Sequence, residues 1–163
     1  ALVKTDLKGN VLWRKNPFVG GGFGPFYAVA TEGKNIFLIR GDKKGSYLVR
    51  VDSATGALLT WPEGGASEIL VCSGQSPVVP TESTPSVVAY GAGGKDAAAP
   101  EGSSRGPDSA GLAVRGGKVY VSSYSLGKIF IVDAETGSPL GELACPGVRG
   151  ISFDAAGNLL AVS

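Results

Sequence analysis

The sequence predicts an all-β fold built from repeated units of four antiparallel strands. Three observations predict it. The stretch VDSATGALLTW (51–61) returns, lightly altered, as VDAETGSPLGEL (132–143), and a looser version, TDLKGNVLWRK, stands at 5–15. Glycine occurs 26 times in 163 residues, which favours tight turns over helices. No window carries a helical stripe, whereas Tyr47, Val49 and Val51, and again Ile129 and Ile131, alternate with a period of two.

In chain order, residues 1–15 supply the second half of a unit: a strand, the turn at Asp6, and a strand holding Trp13. Residues 26–61 hold a whole unit, running apolar run, Gly turn, apolar run, polar turn, alternating strand, D-x-x-T-G turn and a final strand ending at Trp61. Residues 111–143 repeat that order, with Ala113, Tyr120, Ile129 and Val132 where the earlier unit has Val29, Phe37, Leu48 and Val51. Residues 148–163 open a third copy and carry it halfway. An Asp precedes each turn, at 6, 52, 133 and 154, where its carboxylate can accept backbone amides two residues on. Asp52, Gly56, Asp133, Gly137, Trp13 and Trp61 are therefore expected to be structural.

Units of roughly 40 residues with four antiparallel strands are the signature of β-propeller blades. The reading is two whole blades and two half blades. Three blades are too few to close a ring, so the expected partners are further blades of a larger propeller or a second copy of the chain exchanging halves into a ring of six. Without a Met, the chain is expected to be a processed product or a fragment.

Residues 62–110 break the pattern, with six of the ten prolines, eight glycines and eight serines. Continuous regular structure is not expected there, although EILVC (68–72) and SVVAY (86–90) could add a strand pair. Six acids against two bases leave this insertion at −4 and the remainder at +5.

Composition excludes more than it assigns. Hydrophobic residues at 43% and charged residues at 18% fit a folded domain. A formal net charge of +1 calls for neither nucleic acid nor an anionic membrane, and no apolar run nears the about 18 residues that span a bilayer. The chain has no His, which removes Ser-His-Asp and Cys-His catalysis and His-ligated metals. GGGFG (20–24) is followed by Pro25 rather than Lys and a helix, so it reads as a connection and not a phosphate loop. The turn carboxylates lack the calcium-loop pattern. No cofactor, metal or catalytic set is expected.

VDSATGALLTW and TDLKGNVLWRK resemble the repeat of PQQ-like propellers, in which Asp, Gly and a following Trp close each blade. GLAVRGGKVYVSS followed by GKIFIVDAETG is similar to the NHL and YVTN type of repeat. These resemblances imply the propeller fold, with Trp13 and Trp61 as docking tryptophans. The PQQ-like resemblance also implies a quinoprotein dehydrogenase as an alternative. Those enzymes commonly carry adjacent cysteines, whereas Cys72 and Cys145 lie far apart. PDSAGLAV (107–114) resembles a segment of gluconolactonase-like hydrolases, with Ser109 and Ala110 where a ligand Asn belongs. The leading function is thus a non-catalytic module binding a protein, peptide or glycan. The alternatives are an enzyme whose catalytic residues lie outside this chain and a structural assembly module.

On a propeller, the connections between blades and those joining the second and third strands emerge on one face. That places Phe18, Phe23, Phe26, Arg40, Lys43, Tyr124, Ser125 and Arg149 there as ligand-binding residues; aromatics and arginines on loops suit recognition of sugars, peptides or acidic groups. The phenylalanines can equally staple loops onto neighbouring blades. Cys72 and Cys145 fall on the same face, and both a disulfide and two free thiols fit the sequence. A disulfide goes with an extracytoplasmic location, secreted or periplasmic, which is the expectation adopted.

Overall fold

The computed structural model describes residues 1–16, 26–41, 45–62, 65–73, 111–124 and 126–163. Among these residues every regular element is a β-strand, and every pairing is antiparallel. The first sheet is the hairpin β1 (Leu2–Thr5) and β2 (Val11–Lys15). The second contains β3 (Phe26–Glu32), β4 (Asn35–Gly41), β5 (Gly45–Asp52), β6 (Leu58–Leu59) and β7 (Glu68–Ser73). The third is β8 (Leu112–Arg115), β9 (Lys118–Ser123), β10 (Lys128–Asp133) and β11 (Pro139–Ala144), in sequential order. The fourth is the hairpin β12 (Gly150–Phe153) and β13 (Leu159–Val162).

The second and third sheets share one register. Val51 lies opposite Ile36 and Val132 lies opposite Val119, each one residue before a turn Asp. The fourth strand differs between them. In the third sheet, β11 runs unbroken along β10 apart from a bulge. In the second, β6 covers Arg50 and Val51, and β7 resumes along Val49 to Gly45. EILVC is therefore a strand that continues the second sheet, and regular structure reaches Ser73, inside a segment read from sequence as irregular. Its apolar residues are buried between sheets: Ile69 and Val71 belong to the core. SVVAY lies outside the described residues.

Two apolar layers hold the sheets face to face. Between the first and second lie Ile36, Leu38, Val49 and Val51, covered by Leu2, Trp13, Phe26 and Leu58. The larger layer, between the second and third, includes Phe37, Ile39, Leu48, Trp61, Val119, Val121, Phe130 and Val132. β4 feeds both layers because successive side chains point to opposite faces, and it is buried along its whole length. The fourth sheet packs on the third through Phe153, whose ring meets Tyr120 edge-on at 5.0 Å.

The Asp turns work as the sequence predicts. Asp52 Oδ1 accepts from the amides of Ala54 and Thr55 and from the Thr55 hydroxyl; Asp133 Oδ1 does the same with Glu135 and Thr136. Asp6 and Asp154 head a second turn type, D-x-x-G-N, in which the Asn amide returns to the carboxylate at 2.8 Å.

Candidate functional site

The residues expected on the connection face separate into three groups. Phe18, Phe23, Lys43 and Ser125 lie outside the described residues. Phe26 and Arg40, opposite each other in the β3–β4 register, are turned inward. Tyr124 and Arg149 are brought together and face solvent.

Arg40 is only 6% exposed. Its Nε and Nη2 fork onto the Glu68 carboxylate at 2.9 and 2.6 Å, and its guanidinium lies 4.3 Å from the centroid of Tyr47. A bidentate pair of this kind ties β4 to β7 across β5. Arg40 is thus placed as an internal clamp rather than as a ligand contact. This pairing was not legible beforehand, because Glu68 sits in the stretch that reads as irregular. Phe26 is half-buried against the smaller apolar layer, which matches the stapling role.

Tyr124 and Arg149 rest on a rigid base. β9 ends in Ser122 and Ser123, both fully buried. The Ser122 hydroxyl accepts from the Gly111 amide at 2.8 Å and donates to the Arg149 carbonyl at 2.9 Å. Gly111 leaves no room for a Cβ, which would come within 2.8 Å of that carbonyl and of the Ile151 nitrogen. Arg149 also donates its amide to Val162 at 2.7 Å, and the preceding Val148 is fully buried. The backbone carrying Arg149 is therefore locked between the third and fourth sheets. Tyr124 opens the β9–β10 connection at 47% exposure, and the guanidinium lies 4.2 Å from its ring centroid.

This geometry has a definite chemistry. The aromatic ring attracts the guanidinium by a cation–π contact. Among the described residues no carboxylate pairs with Arg149. A planar cation beside an exposed phenol can take a carboxylate or sulfate through two N–H donors, or stack on the apolar face of a sugar.

Cys145 carries a free, half-buried thiol, while the side chain of Cys72 lies outside what the structure describes. Among the described residues no cluster of three or more His, Cys, Asp or Glu could hold a metal ion. No helix there is long and apolar enough to cross a membrane.

Sequence reading also missed Arg50. Buried between the second and third sheets, it donates to the carbonyls of Ala134, Glu135 and Thr60 at 3.2, 3.1 and 3.0 Å, and lies 4.9 Å from the Trp61 ring centroid. Lys4 has the same offset from its turn Asp, two residues before it, and donates to the Ser53 carbonyl at 2.8 Å. The signal was present as a cation at the same repeat position.

No family model matches the chain, and no curated protein matches it. Seven chains of solved structures do. One is the crystal structure of Citrobacter koseri AztD, 15% identical, with 98% of this chain and 54% of that chain covered at a TM-score of 0.28. This chain thus spans about half the length of that protein. At so low a TM-score the fold rests on this chain's own sheets.

Proposed function

We propose that the chain is a run of β-propeller blades, akin to the PQQ-like and NHL/YVTN repeats, whose connection face binds a protein, peptide or glycan without catalysing a reaction. The observation that carries this reading is the exposed Tyr124–Arg149 pair on a locked backbone. Neighbouring contacts between β3 and β8, and between β8 and β12, support the blade arrangement, because first strands of adjacent blades meet around a propeller axis. A guanidinium with no carboxylate partner among the described residues favours ligands bearing an acidic group.

The test is a screen of acidic peptides and acidic glycans on the intact protein, followed by Tyr124→Ala and Arg149→Ala. Each substitution is expected to weaken the best hit by roughly thirtyfold, the usual loss at an aromatic or Arg hot spot. Arg149→Lys is expected to recover only part of it, because Lys cannot form the planar fork. Unchanged affinity in both alanine variants overturns the site.

A further inference from the structure

We infer that the ligand of Tyr124 and Arg149 is a sugar bearing a singly charged acidic group, a carboxylate or a sulfate monoester on a pyranose ring. The inference rests on the binding reading above and narrows it from a protein, peptide or glycan to an acidic glycan. It is carried by the main-chain bonding of the two turns that hold these residues, the charge beside them, and the apolar surface they leave open.

In the β9–β10 connection the Gly127 amide donates to the Tyr124 carbonyl at 3.3 Å, and the Leu126 amide donates to the Ser123 hydroxyl at 3.3 Å. Residues 145–148 form a second turn around Pro146 and a left-handed Gly147. There the Val148 amide donates to the Cys145 carbonyl at 3.2 Å. The two turns are docked on each other. The Cys145 amide donates to the Gly127 carbonyl at 2.7 Å, and a Cβ on Gly127 would come within 3.2 Å of the Pro146 Cα. The Arg149 amide donates to Val162, and its carbonyl accepts from Ser122. A peptide added as a strand needs free backbone donors and acceptors in alternation. Here the amides of Leu126, Gly127, Cys145, Val148 and Arg149 are all bonded within the protein, so recognition falls to side chains on a fixed base. That suits a sugar, which offers an apolar C–H face to an aromatic ring and polar substituents at its rim.

Charge sets the kind of acid. Lys128, which follows the first turn, is paired with Glu142 at 2.6 Å, and that pair adds no net charge. Arg149 has no carboxylate partner among the described residues, so one positive charge stands uncancelled beside Tyr124. A phosphate monoester carries about −1.5 to −2 at neutral pH and is held by several cations or by a cradle of free amides. With those turn amides bonded, a single guanidinium matches a single negative charge, which it can meet with two N–H donors. The apolar surface is small as well. Tyr124 stays 47% exposed with the guanidinium 4.2 Å from its ring centroid, and Leu126 is 43% exposed. Among the described residues of the two turns these are the large apolar side chains left open. That is room for one sugar ring, whereas a helix face or a proline-rich peptide requires a groove.

The test is calorimetric titration of the intact protein with trigalacturonate, its methyl ester, sulfated galactotriose, phosphorylated galactotriose and a triglutamate peptide blocked at both ends. Trigalacturonate or sulfated galactotriose is expected to bind tightest, and whichever leads identifies the acid. Methyl esterification of the uronate is expected to weaken binding by at least about tenfold, the usual loss of charge-assisted hydrogen bonds. In Arg149→Gln that difference between acid and ester is expected to vanish. An equal difference in both proteins overturns the placing of the acid on Arg149. Failure of every sugar to bind, an ester that binds as well as its acid, or tightest binding by the phosphorylated sugar overturns the inference. The comparison of acid with ester uses the parent protein alone and stands whatever a substitution does to the fold. Tightest binding by triglutamate, lost in Tyr124→Ala and Arg149→Gln, overturns the glycan and leaves the binding site standing. Binding by any probe that survives both substitutions overturns the site itself.

Discussion

At the scale of single residues, the two tryptophans explain two glycines. Gly56 and Gly137 close the D-x-x-T-G turns with φ of 71° and 79°, a left-handed conformation that costs any other residue. Each also lies beneath an indole from the preceding sheet. A Cβ on Gly56 would meet Trp13 at 3.1 Å, and one on Gly137 would meet Trp61 at 2.7 Å. Backbone conformation and contact thus demand glycine twice over. Gly137→Ala is expected to cost roughly 2–4 kcal/mol, from the left-handed backbone and overpacking together. Trp61→Ala, which empties a site only 1% exposed, is expected to cost about 3–5 kcal/mol. Because the two share one contact, the double variant should lose less than the sum, and a thermodynamic cycle from urea unfolding measures the difference. Strict additivity would mean that the indole does not rest on that glycine.

At the scale of elements, the first sheet is tied to the second and the second to the third by a cation two residues before the turn Asp, Lys4 and Arg50, each reaching across to the next sheet's turn. Arg50 satisfies three carbonyls in this way, and its ion pair with Glu135, whose side chain is 71% exposed, adds little. Arg50→Met leaves those carbonyls without a donor. It is expected to cost about 2–3 kcal/mol, with Arg50→Lys recovering about half, since Lys4 does a similar task with one bond. A lowered urea midpoint at unchanged slope is the expected reading. The strands, the Asp turns and the all-β class were legible because they depend on local alternation and turn chemistry. The break between β6 and β7 along β5 was not. Trp61 stands where a closing strand would end, yet its backbone amide donates a hydrogen bond to the Ala66 carbonyl while β7 resumes the strand. That detour is set by tertiary packing, and it hid Glu68 from Arg40. Tyr124 and Arg149, 25 residues apart, were legible only as members of one face. Their contact depends on the Ser122 hydroxyl, which no local pattern announces.

At the scale of the whole molecule, every sheet hangs on one aspartate turn, and all four carboxyls are held below the ordinary carboxylate value of 3.8. The Asn10 and Asn158 side chains lower Asp6 and Asp154, the Thr55 hydroxyl lowers Asp52, and the Thr136 amide lowers Asp133. Because the folded values are depressed, each turn stabilises the fold fully above the unfolded carboxyl's pKa. That contribution fades as pH falls through the folded value. The melting temperature is therefore expected to hold down to about pH 4–5 and to fall steeply below it. Protonation reaches a turn in each of the four sheets, and all four carboxyls are shifted in the same direction. Asp52→Asn with Asp133→Asn keeps an acceptor oxygen in each turn but removes the charge. This variant should melt lower at neutral pH and show a shallower acid limb, so that the two curves draw together as the parent carboxyls become protonated. Parallel curves would mean that the acid sensitivity comes from carboxyls elsewhere in the chain.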